Sequence, residues 1–182
     1  MTPLQIVVQA IGIIAMAVNI LSYQQKTPKK VMAFLLVGTT LFTIHYFMLG
    51  VILGALMNII AAFRSIVYMN KEKFKSDSIY WLFAFVALYI LCYVLTFAVF
   101  KTPFTPKNAI LELLPVLGLT SSTIGFRLQN AKAIRAYSFF CSVPWLIYNT
   151  INHSIGGTIC EILSICSIII GLFRHDIKRK KD

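Results

Sequence analysis

Seven apolar stretches, at about 4–23, 32–49, 51–69, 79–100, 109–127, 136–152 and 156–174, take up almost the whole chain, and most of the charged residues lie between and after them. Each is close to the roughly 20 residues that an α-helix needs to cross a hydrocarbon core. Backbone placed in lipid must satisfy its own hydrogen bonds, so stretches of this kind fold as helices. The 182-residue chain is 58 % hydrophobic and only 13 % charged, too apolar for a soluble domain of its size. The expectation is an all-α membrane protein with seven transmembrane helices. The first stretch has neither a basic leader nor a small-residue cleavage site, so it reads as a retained span and not as a signal peptide.

Charge placement sets an expected orientation. The net charge of +11 would suggest a nucleic-acid partner in a soluble protein. Here the basic residues sit at the ends of apolar stretches, where they act as topology signals, and no nucleic acid is expected. Lys26, Lys29 and Lys30 follow the first stretch; Lys71, Lys73 and Lys75 follow the third, with Arg64 near its end. Arg127, Lys132 and Arg135 flank the fifth-to-sixth connection, and Arg174 to Lys181 supply the rest. With seven crossings these 15 fall on one side, against Lys101 and Lys107 on the other. The positive-inside rule then puts the N-terminus outside and the C-terminus in the cytoplasm.

Sliding the chain against itself by 103 residues aligns spans one, two and three with five, six and seven. Hydropathy and loop charge come into register together. Span four has no partner and no charged residue. A three-span unit ends on the face opposite its start, so a second unit of the same orientation needs one extra crossing. The expected architecture is therefore 3+1+3: a first three-helix repeat at 1–76, a linker helix within 77–106, a second parallel repeat at 107–176 and a basic tail at 177–182. Parallel repeats of this kind carry their solute site near the midplane, at the repeat interface.

The repeat brings two hairpins into correspondence. Trp145 and Glu161 each lie eight residues from a turn centred on His153, and Phe42 and Asn58 lie eight residues from Gly50. In each hairpin one aromatic and one polar side chain would sit at a common depth, about 10 Å below the turn. An ionisable residue within a span usually faces a bundle interior or a wet cavity, which makes Glu161 a candidate proton carrier or hydrogen-bonding group. The alternative is a structural pair with a tyrosine or amide across the bundle. Asn58 reads either as a ligand contact or as an interhelical tie, and Trp145 either as a stacking platform or as an interfacial anchor. Asn19, Ser122, His45, Tyr148 and Asn149 are candidate cavity-lining residues. His45 also reads as a packing histidine, and Glu112 as an interfacial partner of Lys107. Gly50, Gly156 and Gly157 would let the outer turns move.

Cys92, Cys141, Cys160 and Cys166 all lie inside apolar stretches without CxxC spacing or clustered histidines, so neither a disulfide framework nor a metal site is expected. No GxSxG, HExxH, Walker A or dinucleotide-binding glycine pattern occurs, and neither enzyme chemistry nor a cofactor is expected.

The runs Glu112-Leu-Leu-Pro115-Val-Leu-Gly118, His45-Tyr-Phe-Met-Leu-Gly50 and Ser154-Ile-Gly-Gly-Thr-Ile-Cys-Glu161 resemble the YgjV-type family of bacterial inner-membrane proteins over about residues 9–175. That family is similar to the SWEET and SemiSWEET transporters of the PQ-loop clan. The resemblance implies a sugar-type site lined by Asn58 and Glu161 from the third span of each half, with Phe42 and Trp145 from the second. Glu161 stands where the SWEET pattern has a neutral amide. Of the hinge prolines the resemblance implies, Pro115 and Pro28 are present, and Gly12 and Ala131 replace their partners. The function expected is facilitated passage of a small polar solute, a sugar or similar molecule, by alternating access. The alternative is a non-transporting membrane scaffold or partner-binding protein of the same fold. The lipid bilayer is the expected partner, and self-association into a homo-oligomer is compatible with either reading.

Overall fold

The structure, a computed structural model, describes residues 2–23, 28–128 and 131–171, with backbone alone at 23, 28, 31, 131–135 and 171. Lys26 and the basic tail from Arg174 onward lie outside the described residues, as do the side chains of Pro28, Ala131, Lys132 and Arg135. Among the described residues eight helices follow one another: α1 (Pro3–Tyr23), α2 (Pro28–Met48), α3 (Ile52–Met69), α4 (Lys71–Phe74), α5 (Ile79–Ala98), α6 (Pro106–Leu128), α7 (Ala131–Ile151) and α8 (Ile155–Gly171). Among the described residues α1, α3, α5 and α6 are long and apolar enough to cross a membrane. Shorter apolar helices run over Met32–Met48 and Ile155–Ile170. Over its described residues, every expected stretch coincides with a helix. The helices of the second and sixth stretches begin about four residues earlier than expected, because polar first turns at Lys29–Lys30 and 131–135 continue into them. The four-residue α4 was not expected. It is stopped by Lys75, whose φ of 47° takes the chain left-handed.

The ends of the helices are built from repeated local solutions. Proline at a first helical position sacrifices no hydrogen bond, and a threonine before it can cap the helix. Thr2 Oγ1 accepts from the Gln5 N–H at 3.3 Å in front of Pro3, and Thr105 Oγ1 accepts from the Asn108 N–H at 3.2 Å in front of Pro106. The turns after α2 and α7 match bond for bond. At the first, the Gly50 N–H donates to Phe47 O and the Val51 N–H to Tyr46 O. At the second, the His153 N–H donates to Thr150 O and the Ser154 N–H to Asn149 O. Both are Schellman closures, with left-handed φ of 74° at Gly50 and 55° at His153. Corresponding residues lie 103 apart in the chain, the same interval that separates Tyr46 from its hydrogen-bond partner Asn149.

The helices close a ring. α2 packs between α1 and α3, α7 packs between α6 and α8, α1 meets α8, and α3 meets α6. α5 lies against α3 and α6. Its aromatic ladder Trp81, Phe85 and Tyr89 is stacked at 5.8 and 6.4 Å, and Phe85 meets Tyr68 of α3 at 6.3 Å. The outer surface carries exposed Ile6, Val7, Ile90, Val94, Ile110, Phe140 and Ile170, an apolar exterior suited to lipid.

Between apolar helices in lipid, close approach rests on small residues. A side chain at Gly156 would run into the backbone of Gly12, so α1 and α8 touch backbone to backbone there. Gly157 is packed against Asn149 and Ser154. Both glycines therefore hold a tight crossing and do not loosen a turn; among the described residues only Gly50 has the open surroundings and positive φ expected of a turn glycine.

Candidate functional site

At the level of the paired aromatic and polar residues the ring encloses a cavity of about 100 Å³. Its walls include Phe42, Asn58, Trp145 and Glu161, the four residues that the two hairpins were expected to present together. Asn19 and Asn149 line it as well, with Thr39, Tyr46, Arg64 and Cys141. A second cavity of about 150 Å³ shares Thr39, Arg64, Cys141 and Glu161 with the first. It continues past Ser65, Ser122, Ser138 and Phe126, toward the end of the bundle where α3 and α6 finish. Ser142 and Glu161 share this wall.

Toward the turns the interior is closed by a polar and aromatic layer. The Tyr46 hydroxyl donates to Asn149 Oδ1, joining α2 to α7. His45 Nδ1 donates to the Val8 carbonyl at 2.8 Å, which fixes the proton on that nitrogen when the ring is neutral. Nε2 then accepts from the Ser154 hydroxyl at 2.8 Å. Tyr148 donates to Glu112 Oε2 at 3.1 Å and accepts the Gly54 N–H at 3.1 Å. That N–H is one of the orphan donors at the start of α3. In α8 the matching orphan, the Gly157 N–H, is accepted by Ser154 Oγ at 3.2 Å. Trp145 packs edge-on to Tyr148 with centroids 5.6 Å apart, and Phe42 stacks on Tyr46 at 5.9 Å.

Two expectations are corrected by these contacts. His45 and Tyr148, expected among the cavity residues, are fully buried in the sealing layer instead. Ser122, expected to line a cavity, lines the second of the two. Glu112 takes its hydrogen bond from Tyr148, and among the described residues no ion pair joins it to the exposed Lys107.

Arg64 is the residue that sequence reasoning misplaced. Counted among the flanking basic residues, it is in fact only 6 % exposed and lies in the walls of both cavities. Its Nη1 donates to Leu119 O, Ser122 Oγ and Thr123 Oγ1 of α6, and its guanidinium lies 4.9 Å from the Phe126 ring centroid. A signal was present. Asn58, Ala61, Arg64, Ser65 and Tyr68 recur at three- and four-residue steps, a stripe of small and polar residues on one face of α3.

A larger groove of about 630 Å³ lies at the turn end, along α1 and the start of α8, with Leu4, Val8, Met48, Ile155 and Ile159 among its lining. It contains none of the expected site residues, whereas Arg64 and Glu161 line both smaller cavities.

A ring of helices with a lipid-suited exterior and a polar, charge-bearing interior defines an integral, multi-pass membrane protein. Residues 6–179 match the family model described as bacterial inner membrane protein, Imp-YgjV, and the chain belongs to that family. It is also similar to the inner membrane protein YgjV of Escherichia coli strain K12, at 26 % identity over 153 residues, covering 84 % of this chain and 75 % of that protein. No solved structure matches.

Proposed function

We propose that this inner-membrane protein is a SWEET-like facilitator of a small polar solute. It would work by alternating access between two parallel three-helix halves, α1–α3 and α6–α8, with α5 as the linking crossing. The observation that carries this reading is the single cavity walled by Phe42, Asn58, Trp145 and Glu161, drawn in pairs from the two halves. The internal repeat is supported by the helix starts at Pro3 and Pro106, Pro28 and Ala131, and Ile52 and Ile155, each pair separated by the interval of the Tyr46–Asn149 bond, 103 residues. It is supported further by the matched Thr-Pro caps and Schellman turns. In this reading Asn58 and Glu161 coordinate the solute, while Trp145 and Phe42 stack on it. The charge count favours turns that face outward and a cytoplasmic C-terminus. A scaffold would have no use for a charged cavity between its halves, so the cavity favours transport over partner binding.

The test is uptake by proteoliposomes, with a solute first found by thermal stabilisation of the purified chain, since a bound solute raises apparent stability by mass action. Glu161→Gln preserves shape and removes the titratable group. The expected result is altered uptake, or altered pH dependence of uptake, with the thermal transition retained. Uptake indistinguishable from wild type at all pH values would remove Glu161 from the site.

A further inference from the structure

Arg64 and Glu161 give the cavities one group of each charge type, contributed by different halves of the bundle. A guanidinium inside a membrane helix is expensive and is kept where it faces a cavity and serves function. If Arg64 only tied α3 to α6, its donors would be spread over acceptors on α6. Instead Nη1 makes all three bonds to α6, and among the described residues the buried Nε has no partner. Glu161 lines both cavities with Arg64. Among the described residues the guanidinium's hydrogen bonds go to α6 and not to the Glu161 carboxylate.

We infer that the site takes a small zwitterionic solute, its carboxylate at Arg64 and its ammonium group at Glu161. This inference rests on the solute-site reading above and narrows it. A neutral polyol would leave the buried Arg64 and the half-buried Glu161 without a counter-charge, which is costly in a low-dielectric interior. A simple anion would satisfy Arg64 but bring a second negative charge beside Glu161. A zwitterion compensates both. The aromatic faces of Phe42 and Trp145 suit an ammonium group, and the Asn58 side chain adds a polar contact. Cavities of about 100 and 150 Å³ limit the solute to the size of a small amino acid. Because the two charges sit on α3 and α8, such a solute would bridge the halves whose relative motion the transport reading requires.

The test uses the purified full-length chain and four probes of similar size: L-alanine, propionate, ethylamine and glycerol, with calorimetric titration as the readout. L-Alanine is expected to bind about tenfold or more tightly than each of the other three, the factor that a single hydrogen bond to a charged group supplies. Arg64→Lys keeps a cation where full removal could unfold the α3–α6 contact, and should weaken L-alanine binding by about tenfold. Glu161→Gln should abolish the preference for L-alanine over propionate. Glycerol binding as tight as L-alanine binding and unaffected by Arg64→Lys overturns the zwitterion assignment while leaving a solute site. Failure of every probe, together with failure of a wider panel of neutral sugars, overturns that assignment and the solute-site reading alike.

Discussion

Tyr148 shows how much one hydroxyl can hold at the turn end. It donates to Glu112 and accepts the Gly54 N–H, so it caps α3 from a helix more than ninety residues away in sequence. Tyr148→Phe leaves that buried N–H and the Glu112 carboxylate without their partner. The expected cost is about 1–3 kcal/mol, read as a lowered midpoint in denaturation of the detergent-solubilised protein. A midpoint equal to wild type would show that solvent reaches the Gly54 N–H. This capping role was not legible in sequence, because it depends on which helices meet. Glu161 was legible, since a carboxylate in an apolar run demands an interior partner. Arg64 was legible only as a charge. Reading it as a flank followed from its position five residues before the end of α3, and only the packing of α3 on α6 turns that position inward. His45 was split between two readings, and its two buried hydrogen bonds fall to the packing one.

At the scale of elements, helices were easy to read and contacts were not. Hydropathy located each long helix, but it trimmed α2 and α7 at their polar first turns and missed α4, whose Lys-Glu-Lys-Phe sequence carries no apolar period. The equivalence of Gly50 and His153 as turn centres was legible because the flanking aromatic and polar residues are equally spaced. The glycines at the start of α8 were misread, since a glycine signals either conformational freedom or close approach, and only the neighbour decides which. Gly156→Ala would push a methyl group into the Gly12 backbone and separate α1 from α8. Its expected cost is about 1–3 kcal/mol, typical of overpacking. Gly50→Asn, at a left-handed position with nothing nearby, should cost well under that, because Asn tolerates this conformation. Thermal midpoints of the two variants in the same detergent check the ordering, and equal midpoints would mean that α1 can yield without loss.

For the whole molecule, the arrangement has a polarity that follows from its contacts. Toward the turns the interior is shut by the Tyr46–Asn149, His45–Ser154 and Tyr148–Gly54 bonds, all between buried groups. Away from them the cavities continue from Glu161 to Ser138 and Phe126. An alternating-access protein held in this form would admit water from the end where α3 finishes and exclude it from the turn end. In the orientation proposed from the charge count, the admitting side is the cytoplasm. The expectation can be tested without knowing the solute. In a background with Cys92, Cys141, Cys160 and Cys166 replaced by serine, Ser138→Cys should react with a membrane-impermeant maleimide added on the cytoplasmic side. Reaction from the opposite side should be about tenfold or more slower, as expected when the reversed state is a minor population. His153→Cys, exposed at the turn, reports the opposite preference and calibrates the orientation. If Ser138→Cys is modified equally fast from both sides, or faster from the side that modifies His153→Cys, the sealing layer does not separate the two compartments. The bonds between the halves at the turn end would then be packing contacts with no part in a transport cycle.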